Sequence, residues 1–281
     1  MKSEHKEMMK ARKRNIKLTL SYDGTNYHGF QRQNKVIAVQ NILEQALFKL
    51  FGDSIELAAA GRTDAGVHAV GQVVNFFTNG TIPIQNVVRA VNRLLPDDIV
   101  LLKAEEANHD FSALHSVQSK IYYYKLFESE LPDPFLTRYY WHINKPLNFK
   151  HMQEALKYIE GEHDFSSFRS AGGNDTSPIR EIYEASCRKE GNIYIFKFWG
   201  SGFLYHMVRN IMGLMVNIGL GRVDKNEVSS ASSSCALMPS AACFAMPATA
   251  LHLSSNAARG FVYSRLTALR RSSISLAMPL R

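Results

Sequence analysis

The sequence predicts an α+β fold in two similar halves, whose antiparallel sheets meet at a central cleft. Two observations predict it. Strand-like and helix-like periodicities follow one another in the order β-α-β-β-α-β over residues 15–107, the order of a split βαβ unit. A second, similar succession fills residues 108–228, so the boundary falls near residues 107–109.

The elements are read in order. After a basic arm over residues 1–14, Ile16, Leu18, Leu20 and Tyr22 alternate with polar neighbours, and Asp23-Gly24 ends the strand in a turn. Ile42, Leu43, Ala46, Leu47 and Leu50 recur at helical spacing, with Gly52 as the stop. Residues 55–60 and 72–78 read as strands. Val87, Val88, Val91 and Leu94 mark a helix, and residues 99–103 a further strand. In the second half, residues 119–127 and 138–143 are strand-like and rich in aromatic side chains. Phe149, Met152, Ala155, Leu156 and Ile159 form a helical stripe ending at Gly161. Residues 179–188 and 192–199 read as a hairpin turning near Glu190-Gly191. Leu204, Met207, Val208, Ile211, Met212 and Met215 mark the last helix.

Composition narrows the class. No run approaches the roughly 18 apolar residues that span a bilayer, which speaks against a membrane protein. Residues 1–18 lack the apolar core of a secretory signal. Cys187, Cys235 and Cys243 make neither a disulfide framework nor a zinc spacing. The cytoplasm is the expected compartment. The net charge of +8 is concentrated at the ends: residues 1–18 and 229–281 carry +5 each, whereas 19–228 sum to −2. Charge alone therefore does not establish a nucleic-acid partner, because a phosphate-binding surface needs bases that share one face. Residues 229–281 hold 12 Ser and 11 Ala but no Asp, Glu or Lys. That bias points to a disordered or strongly diverged tail.

The most informative run is Gly61-Arg62-Thr63-Asp64-Ala65-Gly66-Val67-His68-Ala69, just beyond a predicted strand. Its glycines allow a tight turn and close approach of a ligand. Arg62 offers a planar cation for phosphate or a base edge, and Asp64 a carboxylate for nucleophilic or general-base work. On the residues alone, a turn in which Asp64 caps and Arg62 pairs with it is the favoured reading. His68 reads as structural.

This run resembles the signature loop of the tRNA pseudouridine synthase A (TruA) family, and the likeness continues along the chain. Ser21-Tyr22-Asp23-Gly24 and Gly29-Phe30-Gln31-Arg32-Gln33 are similar to the family's first strand and loop. Lys120-x-Tyr122-x-Tyr124 resembles the strand bearing its base-stacking tyrosine. His163-Asp164-Phe165-x-Ser167-Phe168 and Pro178-Ile179-Arg180 resemble later landmarks. Phe203 with His206-Met207-Val208-Arg209-Asn210 resembles its last active-site helix. These stretches keep family order across residues 15–222.

The resemblance implies the pseudouridine synthase fold, two ferredoxin/RRM-like halves. It implies conversion of uridine to pseudouridine in the tRNA anticodon stem-loop, around positions 38 to 40: the base leaves through N1, turns and reattaches through C5. The partner is tRNA, the assembly a homodimer, and neither a cofactor nor a metal takes part. Carried onto this sequence, Asp64 is the catalytic carboxylate. Arg62 fills the space left by the flipped base and holds the flanking phosphate. Tyr122 stacks on the base, a contact worth about 1–3 kcal/mol. Arg209 pairs with Asp64 and keeps it ionised. Arg32, Lys35, Arg169 and Arg180 are candidate backbone contacts.

Two departures stand out. Leu114 falls where the family usually has an arginine. The tail lacks the family's charged last helix, and Pro247-Ala248-Thr249-Ala250-Leu251-His252-Leu253 is only a faint echo of its last strand. The alternative is an RNA-binding or RNA-folding protein of this fold without activity. An aspartate-dependent hydrolase is disfavoured, since a single carboxylate loop brings no metal-binding companions.

Overall fold

The structure, a computed structural model, describes residues 11–172, 176–226, 228 and 250–254. Its centre is a ten-stranded sheet in the order β4-β1-β3-β10-β5-β9-β8-β7, with β2 added to β3 and β6 to β5.

The N-terminal half supplies β1 (Arg14–Tyr22), α1 (Val39–Phe51), β2 (Ala58–Ala59), β3 (His68–Thr78), α2 (Ile84–Asn92) and β4 (Ile99–Ala107). The alternation read in β1 is realised: Ile16, Leu18, Leu20 and Tyr22 point into one core with Leu43, Leu47, Val87 and Val91 from the two helices. Gly52 ends α1 in a left-handed conformation, φ 73°, and its N–H donates to the Phe48 carbonyl at 2.9 Å. β3 is buried on both faces, because residues 111–117 cover the side away from the helices. Asn15 and Asn75 fasten that cover. Asn15 Nδ2 donates to the Asn108 and Phe111 carbonyls, and Asn75 Oδ1 accepts from the Ala113 N–H.

The C-terminal half supplies β5 (Lys120–Glu128), β6 (Trp141–Ile143), α3 (Phe149–Leu156), β7 (Gly161–Asp164), β8 (Ile179–Glu190), β9 (Ile193–Gly200) and α4 (Met207–Gly219). A second core forms here around Phe165, Phe168, Tyr194, Phe196, Phe198 and the apolar face of α4. The antiparallel halves therefore each wrap their own core, as the sequence predicts.

Three elements differ from the expectation. The strand predicted over 55–60 shrinks to Ala58–Ala59, and that over 138–143 to Trp141–Ile143. Residues before the latter turn instead, with the Asp133 side chain accepting from the Phe135 N–H at 2.8 Å. The last helix begins at Met207, because His206 adopts a left-handed φ of 60° that no α-helix continues through.

The halves are joined by β10 (Ala250–Ser254), from the Ser/Ala-rich tail. It runs parallel to β3 and antiparallel to β5, so one continuous sheet crosses the whole molecule. No helix among the described residues is long and apolar enough to cross a membrane.

Candidate active site

Residues 61–67 form the loop that leads into β3, and the chain around it leaves little freedom. Tyr22 Oη and Thr63 Oγ1 share a buried hydrogen bond of 2.7 Å. The Phe30 N–H donates to the Thr63 carbonyl, and the Gly66 N–H to the Tyr27 carbonyl, both at 3.1 Å. Gln72 Nε2 donates to the Gly61 carbonyl at 2.5 Å. Two glycines permit this closeness. A Cβ at Gly24 would collide with the Val67 carbonyl. One at Gly29, where φ is 83°, would collide with the Thr63 carbonyl oxygen and stand 3.1 Å from the Asp64 carbonyl carbon.

The loop also engages the opposite half. Val67 is buried among the C-terminal core residues, although every strand and helix of that core lies elsewhere in sequence. Asp64 is one-third exposed, and its Oδ2 lies 3.5 Å from His206 Nε2 at the start of α4. His206 stacks on Tyr205, with ring centroids 3.8 Å apart. Burial pushes the His206 imidazole below its ordinary value, against the pull of Asp64 and together with the charge of Arg209.

Tyr122 projects from β5 and packs edge-on against Phe203, with ring centroids 4.9 Å apart. Burial, followed by the Asp64 carboxylate, pushes its phenol well up, so Tyr122 is a neutral ring near that charge. The register places Tyr122 opposite His252 of β10, while Leu251 lies opposite His68. The tail strand thus bridges the strand carrying Tyr122 and the strand that follows the Asp64 loop.

The structure brings Asp64 within electrostatic reach of Tyr122 and leaves Arg62 exposed on the loop. Among the described residues Arg62 makes no ion pair with Asp64, and the turn is closed by backbone, the Val67 N–H donating to the Asp64 carbonyl at 3.1 Å. The capping-turn reading of this segment is therefore not what the chain adopts. Arg209 requires a correction. It sits half-buried in the first turn of α4, but among the described residues the basic side chain within 4 Å of the Asp64 carboxylate is His206. The left-handed residue ahead of the helix brings His206 to the carboxylate, while Arg209 acts on that histidine through its charge. Sequence reading passed over His206 as a helical residue. Its signal was a histidine between a glycine-containing turn and an amphipathic helix.

Arg32 is engaged with Glu44 at 2.8 Å, and Arg180 with the Ser177 and Ile179 carbonyls. His68 is buried, as a structural histidine should be, and faces Asp23. Among the described residues no group of three His, Cys, Asp or Glu side chains could hold a metal ion.

With this geometry in place, comparison with known proteins decides the family. The profile of a family described as tRNA pseudouridine synthase matches residues 19–116 and 155–255. The chain belongs to the tRNA pseudouridine synthase family. A protein named tRNA pseudouridine synthase A from Acetivibrio thermocellus is 43% identical over 215 residues, 76% of this chain and 88% of the relative. Relatives of the same name from Thermoanaerobacter sp. and Oceanobacillus iheyensis are 41% and 43% identical over the same length, covering 88% and 85% of those proteins. The match to the synthase family reaches residue 255, so it takes in β10.

Proposed function

We propose that this chain is an isomerase that converts uridine to pseudouridine in the anticodon stem-loop of tRNA, around positions 38 to 40, with Asp64 as the reacting carboxylate. The observation that carries the assignment is the placement of Asp64. It stands partly open on a loop pinned to both halves, next to His206 and within electrostatic reach of a neutral aromatic ring.

The reaction needs a base out of its stack, and that costs a few kcal/mol. Tyr122 receives the flipped base face-on, and Arg62 occupies the gap and holds the neighbouring phosphate. Asp64 then acts on the nucleoside while the C1′–N1 bond breaks and the C1′–C5 bond forms. N1 gains a proton and C5 loses one to solvent. Arg209 adds its own positive charge beside His206 and helps keep that imidazole neutral. A homodimer in the cytoplasm, with tRNA across both subunits, completes the reading, and sedimentation of the purified chain with and without tRNA tests the dimer.

The C5 proton gives the assay. Release of tritium from 5-tritiated-uridine tRNA should accompany turnover by the wild-type chain and vanish in Asp64→Asn, while tRNA binding persists. Equal release from both proteins would remove Asp64 from the mechanism. Binding without release from either would leave an RNA-binding protein of this fold.

A further inference from the structure

The loop carrying Asp64 has a second attachment, at its end rather than at the carboxylate. His68 closes the loop four residues after Asp64 and is only 4% exposed. Its Nδ1 lies 3.0 Å from the Gly24 amide and 3.0 Å from Asp23 Oδ1. One nitrogen serves one of these partners at a time, accepting from the amide or donating to the carboxylate. Either way it fastens His68 to the turn that ends β1.

Asp23 is itself held from two sides. Oδ1 accepts from the Thr25 N–H at 2.9 Å and the Thr25 hydroxyl at 2.5 Å. Oδ2 accepts from the Tyr139 hydroxyl at 2.8 Å, with the Arg138 guanidinium 3.9 Å away. Burial alone would raise the Asp23 carboxyl. The Thr25 and Tyr139 hydrogen bonds outweigh it and bring the group down to about 2, so the acceptor is ionised at neutral pH. The Tyr139 ring also lies 5.1 Å from the His68 ring.

The origin of these groups matters. Tyr22, Tyr27, Phe30 and Gln72, which hold the rest of the loop, all come from the N-terminal half. Tyr139 comes from the other half, in the turning segment ahead of β6. The Asp23 side chain that it meets is 22% exposed, so loss of the Tyr139 hydroxyl strands no fully buried group, and Asp23 keeps its Thr25 donors.

We propose that Tyr139 is a positioning residue: through Asp23 and His68, its hydroxyl sets the placement in which the loop presents Asp64 to the opposite half. This rests on Asp64 being the reacting carboxylate. A hydrogen bond to an ionised acceptor is stronger and more directional than a neutral one, which suits a tie that must hold geometry. A reacting group displaced by a fraction of an ångström loses rate long before the fold loses stability.

The test is Tyr139→Phe in the full chain, assayed by tritium release from tRNA transcript. kcat should fall about tenfold, with KM for tRNA within about twofold and the thermal midpoint within about 2 °C. Asp23→Asn should also slow the reaction. The double variant should be no slower than Asp23→Asn alone, because both changes act through one carboxylate. An unchanged kcat in Tyr139→Phe overturns the proposal. So does a double variant whose loss is the product of the two single losses, or a loss of rate accompanied by a matching loss of midpoint. Should Asp23→Asn fail to fold, Tyr139→Phe decides alone. Release that survives in Asp64→Asn would sink the catalytic assignment instead, a result read from a different variant.

Discussion

Replacing Gly29 by alanine puts the geometry of the loop to a sharp trial. Gly29 has φ 83°, and a Cβ there would overlap the Thr63 carbonyl oxygen and press on the Asp64 carbonyl carbon from 3.1 Å. The left-handed conformation alone costs an alanine about 1 kcal/mol. The overlap adds a second effect, because backbone rather than a flexible side chain must yield. Moving the Thr63–Asp64 peptide by about 1 Å is enough to relieve it, and a reacting group misplaced on that scale loses about a hundredfold in rate. Gly52 is the control. It has φ 73° but nothing within 4 Å of the added carbon, so Gly52→Ala carries the conformational cost without the collision. Both variants should lower the thermal midpoint, Gly52→Ala by about 3 °C. Only Gly29→Ala should lose tritium release. A Gly29→Ala chain with kcat within twofold of wild type would refute the reasoning, and so would a Gly52→Ala chain equally impaired.

Further expectations concern stability and assembly. Burial holds His68 below its ordinary value of 6.5 although Asp23 pulls it up, so the unfolded chain takes up a proton that the folded chain refuses. Stability is then complete above the ordinary value and lost on acidification, and urea midpoints should fall between about pH 7 and pH 5; His68→Gln should flatten that slope, and an undiminished slope would exclude His68 as its source. Leu18 is fully buried, and Leu18→Ala should cost about 3 kcal/mol by denaturant titration while leaving KM unchanged. Truncation after residue 249 removes β10 and leaves two unpaired edges at the middle of the sheet, so aggregates should replace the soluble peak in gel filtration. A truncated chain that elutes like the full one would contradict the role given to that strand.

Much of this molecule can be read from residue order. The alternation of Ile16, Leu18, Leu20 and Tyr22 gives both the strand and its buried face, and Gly52 marks the helix end because only its φ suits the cap. The run from Gly61 to Ala69 announces a tight turn beyond a strand, and residues 61–67 form a loop leading into β3. What stayed hidden depends on partners distant in sequence. His206 becomes the neighbour of Asp64 only once α4 from one half meets the loop from the other, and periodicity in the helix cannot report that. Strand pairing is similar. Leu251 and Leu253 alternate with His252 and Ser254, a run too short among Ser and Ala to be more than a faint echo of the family's last strand, yet hydrogen bonds to β3 and β5 give it a place in the sheet. Tyr139, one of many aromatic residues near it in sequence, acquires meaning only from the Asp23 carboxylate, 116 positions away.

The position of β10 has a bearing on biosynthesis. Ribosomes deliver the N-terminal half first and the C-terminal half next, and each can gather its own core as it emerges. The strand that belongs between them follows both halves in sequence, and it must enter the middle of a sheet rather than add to its rim. Until it arrives, β3 and β5 lack the neighbour that fixes their spacing, and with it the distance from the Asp64 loop to Tyr122. Such non-local closure is slow. The distance from the Asp64 loop to Tyr122 is thereby tied to the arrival of β10, so a nascent chain that stops short of residue 250 is still an unfinished tool.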